Sequence, residues 1–146
     1  MSGDGDSSDA LTGAPVDFDR LATIRDRLSA DSRFTQIDES PALAPDRLVC
    51  VYNPRFYPER VQTARLEIVW FENENFSLHY HETHESSDFD HRWDRHPSSH
   101  NTRDHVHPGP DAPTPGTDTS HPVDWRDVLS MALAEIDDRQ RAFWDQ

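Results

Sequence analysis

The sequence predicts an α+β domain, an antiparallel β-meander of about four to five strands with one N-terminal and one C-terminal helix. Three observations predict it. Apolar residues recur at spacings of three and four near both ends, at Phe18, Leu21, Ile24 and Leu28 and again between Trp125 and Phe143. Between these stretches, short runs alternate apolar and polar residues, as half-buried strands do. Turn-forming residues separate the runs, so consecutive strands can pair with their neighbours.

Residues 1–15 are rich in Ser, Gly and Asp and read as a disordered acidic tail. Asp17 is placed to cap the first helix. RFTQID at 33–38 alternates, with Phe34 and Gln36 on one face and Thr35 and Ile37 on the other. Pro41 and Pro45 mark a loop, and RLVCVY at 47–52 is a strongly apolar strand. VQTARLEIVWF at 61–71 is a long strand with Ala64, Leu66, Ile68 and Trp70 on one face. The ENEN turn at 72–75 returns the chain into FSLHYHET at 76–83. DFDHRW at 88–93 adds a further strand. Beyond Arg95 the strand signal stops.

Residues 96–122 carry six prolines and two glycines. Their first half, through His107, reads as an ordered loop that closes a core spanning residues 16–107. Residues 108–122 read as a Pro/Gly/Thr linker, leading to a helix within 123–146 that packs on the core. Asp124 is its expected cap, and Trp125, Val128, Leu129, Ala132, Leu133, Ile136, Ala142 and Phe143 form its apolar stripe.

Charge points to the cell rather than to the ligand. The chain has 28 acidic residues against 14 basic ones, a net charge of −14, and every base is arginine. Abundant aspartate without lysine is the composition of a salt-adapted proteome. Concentrated salt shortens the screening length to about 3 Å at 1 M, so the acidity does not exclude a nucleic-acid substrate as it would at ordinary ionic strength. Cys50 is the only cysteine, so no intrachain disulfide can form. The N-terminus lacks the basic and apolar segments of a signal peptide. No apolar run approaches the roughly 20 residues that span a bilayer. The expected location is cytoplasmic, with no membrane partner.

Chemistry concentrates in one stretch. Eight of the nine histidines lie between His79 and His107, interleaved with Arg92, Arg95, Arg103, Asp94 and Asp104. Imidazole suits both proton transfer and metal binding. One reading is a metal-independent ribonuclease. His100, His105 and His107 are its proton-transfer candidates, and Asp94 orients an imidazole. Arg92, Arg95 and Arg103 bind phosphate, and Trp93 stacks on a base or belongs to the core. The alternative is a non-enzymatic binding module, in which the cluster meets a protein partner or His79, His81, His105 and His107 hold zinc or nickel. No HExxH or CxxC is present to favour a metal. A structural network tying the loop to the sheet accounts for the same residues.

The strand ending in RWD, followed by a proline–histidine loop and a closing H-x-H, resembles the TumE-like family of toxin–antitoxin proteins. That family's pattern runs approximately R-[WY]-D-N-x-P-H-H, a short spacer, then H-H-x-H. Arg92, Trp93 and Asp94 match its opening, His96 or His100 its middle histidines, and His105 and His107 its close. Arg95 replaces the asparagine, the order around Pro97 differs, and Asp104 stands where a histidine would precede His105. The resemblance covers roughly residues 60–107. The RHPSSHNTRDHVHP block also looks like one that recurs in salt-adapted archaeal proteins. The resemblance implies a small toxin that acts on RNA and is neutralised by a helix-turn-helix antitoxin.

Overall fold

The computed structural model describes residues 14–145. Helix α1 spans Phe18–Ser29. Strands β1 (Phe34–Ser40), β2 (Arg47–Tyr52), β3 (Val61–Trp70), β4 (Phe76–His84), β5 (Asp88–Arg95), β6 (Asp104–His107) and β7 (Thr117–Asp118) follow. Helix α2, Trp125–Trp144, closes the chain. The strands form one antiparallel sheet in sequence order, β1 through β7. The α+β class is as the sequence predicts, but the sheet has seven strands rather than four to five.

The two extra strands come from the stretch read as loop and linker. β6 pairs with the outer half of β5, and β7 pairs with β6. Residues 108–116 run back along the edge, where Pro110 O accepts from Asp90 N and Asp111 bridges Asp90. Of the expected acidic tail, residues 1–13 lie outside the described residues, and Pro15 O accepts from Glu72 N.

The period-two pattern explains which face is buried. Leu48, Cys50, Tyr52, Leu66, Ile68, Trp70, Phe76, Leu78, Tyr80 and Trp93 fill one side of the sheet, packed with Leu21, Ile24 and Leu28 of α1 and Val128, Leu129, Ala132 and Ile136 of α2. Each such aliphatic side chain contributes about 1.5–3 kcal/mol by leaving water. Both helices start where a side-chain acceptor meets a free N–H: Asp17 takes Arg20 N, and Asp124 takes Arg126 N. Phe18, placed on the apolar stripe by its spacing, is 59% exposed at the first turn of α1. In β1 a bulge between Phe34 and Gln36 breaks the expected alternation, so Phe34 and Ile37 both pack on the core.

One carboxylate sits among these apolar side chains. Glu82 is fully buried and accepts two hydrogen bonds of 2.7 Å from Arg139 of α2, one from Tyr80 Oη, and one of 2.6 Å from His84. Burial alone would raise its pKa. The hydrogen bonds, led by Arg139, outweigh that and hold it below the usual value. The pair fixes α2 across β4 and leaves the opposite face of the sheet to the polar residues.

Candidate functional site

Strand parity sends His79 and His81 of β4, Asp90, Arg92 and Asp94 of β5, and His105 and His107 of β6 to the face turned away from the helices. Register places His79 beside Arg92 and Arg92 beside His107, and likewise His81 beside Asp90 and Asp94 beside His105. Strand and loop histidines therefore share a face, but they meet two different carboxylates.

The first group is half-exposed. His79 Nε2 and His81 Nδ1 both lie on Asp90 Oδ1, at 2.7 and 2.6 Å. These are ordinary N–H···O⁻ distances. Each ring donates one N–H to Asp90 and turns its second nitrogen elsewhere: Nδ1 of His79, and Nε2 of His81, which faces Thr83 Oγ1 at 3.4 Å and Asp88 Oδ2 at 3.7 Å. The ring centroids are 6.2 Å apart. Burial would raise the pKa of Asp90, yet the hydrogen bonds from His81 and His79 keep it below its usual value.

The second group is buried. Asp94 is 1% exposed, His105 1% and His107 4%. Asp94 Oδ2 faces Nε2 of His96 at 3.3 Å, of His105 at 3.6 Å and of His107 at 3.3 Å, and accepts from Arg92 Nε at 2.9 Å. Each ring's Nδ1 meets a backbone carbonyl: Pro97 O for His96, Thr102 O for His105 and Pro113 O for His107, at 2.9, 2.8 and 2.7 Å. A carbonyl only accepts, so Nδ1 carries the hydrogen in each ring. Burial would raise Asp94, but contacts with His105, His107 and His96 and the charge of Arg92 hold its carboxyl well below the usual range. The same contact raises His105 above its ordinary value against the effect of burial.

The remaining sequence candidates lie elsewhere. His100 is exposed in the 96–103 loop, its backbone N–H on Ser98 Oγ. Arg95 points to the helix side, bound to Asp104 at 2.7 Å and to the carbonyls of His121 and Pro122. Arg103 is held by Asn75 Oδ1 and Asn73 O. Trp93 is buried, with Nε1 on Glu135. Of the three arginines, only Arg92 reaches the polar face. The four histidines His79, His81, His105 and His107 do not converge on one point. Their strands are separated by β5, and two strand spacings amount to about 10 Å.

Asp90 was not singled out by sequence reasoning, although alternation in DFDHRWD places it with Arg92 and Asp94. The Nδ1 acceptors are backbone atoms of Pro97, Thr102 and Pro113, which no side-chain motif encodes.

Fold and site together define a small α+β protein whose single meander sheet carries helices on one face and histidine–carboxylate groups on the other. A family model described as Toxin TumE matches residues 20–140, and the chain belongs to that toxin family. Neither the curated proteins nor the solved structures compared with the chain give a match. Among the described residues, no helix is long and apolar enough to cross a membrane.

Proposed function

We propose that this toxin-family chain is a ribonuclease of a salt-adapted cell, acting without a metal at the polar face of β4 and β5. The observation that supports this is the shared carboxylate: Asp90 Oδ1 orients both His79 and His81 on a half-exposed face. Cleavage at a 2′-hydroxyl needs a base, an acid and a cation for the phosphorane. His79, with Nε2–H on Asp90, offers Nδ1 as the base that takes the 2′-hydroxyl proton. The freed oxygen attacks phosphorus and the P–O5′ bond breaks. Protonated His81 gives its Nε2 proton to the leaving oxygen, so the products are a 2′,3′-cyclic phosphate and a 5′-hydroxyl.

Arg92 supplies the cation. Its Nε is on Asp94, and its terminal nitrogens, with no hydrogen-bond partner among the described residues, can fork onto phosphate oxygens. Its side chain is 35% exposed. Arg65 lies across from His81 on β3, with its Nε on Glu67 at 2.8 Å. This reading moves proton transfer from His100, His105 and His107 to His79 and His81, because His105 and His107 are buried with both ring nitrogens facing protein acceptors.

RNA as substrate places the protein in the cytoplasm. Membership in a toxin family also calls for an antitoxin, in our reading a helix-turn-helix protein that masks the polar face. The experiment is growth of a host expressing the chain. Growth arrest by the wild type, loss of arrest in His79→Ala/His81→Ala, and retention in His100→Ala support the proposal. Undiminished arrest by the double variant overturns it.

A further inference from the structure

We propose that Asp94, His96, His105 and His107 form a site for one divalent transition-metal ion of the zinc class, separate from the His79–His81–Asp90 group. Hydrogen-bond valence is the first argument. With Nδ1–H committed to Pro97 O, Thr102 O and Pro113 O, the neutral rings turn three Nε2 lone pairs toward Asp94 Oδ2. Deprotonated, these acceptor atoms face one another and favour a cation between them; a zinc-class ion would displace the ring protons that otherwise join the imidazoles to Asp94. Backbone carbonyls on the distal nitrogens are the usual support of metal-ligating histidines, since they fix the tautomer and aim the ring.

The distances are the second argument. The separations of 3.3, 3.6 and 3.3 Å are longer than the charge-assisted bonds of 2.7 and 2.6 Å at Asp90. Zinc bonds to nitrogen or oxygen of roughly 2.0–2.2 Å in a tetrahedron separate the ligand atoms by about 3.3–3.6 Å. At Asp90 the distances are those of hydrogen bonds; at Asp94 the separations from Oδ2 to the ring nitrogens match those between zinc ligands.

Burial is the third. Asp94 Oδ1 is buried with no hydrogen-bond partner among the described residues, and it is the one carboxylate oxygen among them in that state. Arg92 Nε on Oδ2 is the outer support expected of a ligating carboxylate. Three nitrogens and one oxygen suit zinc, cobalt or nickel rather than magnesium or calcium. The donor atoms of Asp94, His105 and His107 lie within 4.8 Å of one another, and His96, 3.3 Å from Asp94 Oδ2, would complete the set on binding; four protein donors would make the site structural rather than catalytic. The ion would clip the 96–103 loop and β6 to β5. His96, the most exposed of the ligands, with 26% of its side chain accessible, would be where the ion enters.

The test uses tag-free full-length protein in concentrated KCl, stripped with a chelator and titrated calorimetrically with zinc. Its readout does not depend on RNA cleavage, so the site and the ribonuclease reading fail separately. The expected result is one zinc per chain, retained in His79→Ala/His81→Ala and weakened at least about tenfold in His96→Ala, whose partly exposed position spares the fold. Cobalt(II) should give the intense visible absorption of a tetrahedral site, and zinc should raise the thermal midpoint of the wild type. Absence of zinc binding by the folded wild type overturns the proposal. So does binding that survives His96→Ala unchanged or disappears in His79→Ala/His81→Ala.

Discussion

Replacing His91 by asparagine should remove a specific acid sensitivity from the fold. His91 lies on the helix side of β5, its ring tilted against Trp93 with centroids 4.5 Å apart. Its Nδ1 accepts from Gly109 N–H at 3.0 Å, so Nε2 carries the hydrogen. That Nε2 is buried, and the nearest carboxylate oxygen, of Glu135, is 3.9 Å away. Burial lowers the pKa of His91 to about 4, and the neighbouring Arg139 adds to the effect. The unfolded chain takes its proton near pH 6.5. The contribution of neutral His91 is therefore intact above pH 6.5 and is lost as pH falls toward 4. The shift to about 4 corresponds to a loss of about 2 kcal/mol by pH 5 and about 3 kcal/mol by pH 4.

Asparagine keeps an acceptor for Gly109 and cannot titrate. Denaturant unfolding of both proteins at pH 7, 6, 5 and 4 measures the difference. The variant should start less stable through its lost packing on Trp93, and the gap should narrow by about 2 kcal/mol between pH 7 and 5. Carboxylates that titrate at lower pH are common to both proteins and cancel. A gap that stays constant to pH 4 would refute the reasoning.

Other predictions follow from the same packing. Arg139→Met strands the buried Glu82 carboxylate and should cost about 3–5 kcal/mol in denaturant unfolding; a loss under about 1 kcal/mol would mean that Tyr80 and His84 suffice. Gly116→Ala brings a Cβ to 2.5 Å from Val106 O and 3.0 Å from His107 Nδ1. It should lower stability by about 1–3 kcal/mol, and an unchanged melting curve would show that the 113–116 segment is free to move. Cys50 is fully buried, and burial pushes its thiol up to about 12. Native protein should leave it unmodified by a thiol reagent that reacts rapidly after unfolding.

The hairpin of β3 and β4 was legible because clean alternation over residues 64–70 and 76–82 flanks a polar turn, whereas the irregularity between Val61 and Thr63 turns Val61 into the core. The helix starts were legible because Asp17 and Asp124 stand just before periodic apolar runs. β6 was not, since its buried positions, His105 and His107, are polar and lie on the face away from the helices, and four residues carry too short a pattern. β7, with two residues, carries none. The histidine stretch located the site, but it did not divide it. The division into an Asp90 group and an Asp94 group arises from the registers of β4–β5 and β5–β6, which are tertiary facts. Arg95 and Arg103 fit a phosphate-binding pattern as sequence, and they act in the fold as ties to Asp104 and Asn75.

The central claim is proton transfer by His79 and His81 on RNA. The most direct measurement is cleavage of a defined RNA by purified protein in concentrated KCl, with the ends of the products identified. The account predicts 2′,3′-cyclic phosphate and 5′-hydroxyl ends, and a rate that falls about 100-fold or more in a folded His79→Ala/His81→Ala variant. Undiminished cleavage by that variant, or products bearing 3′-hydroxyl ends, would contradict it.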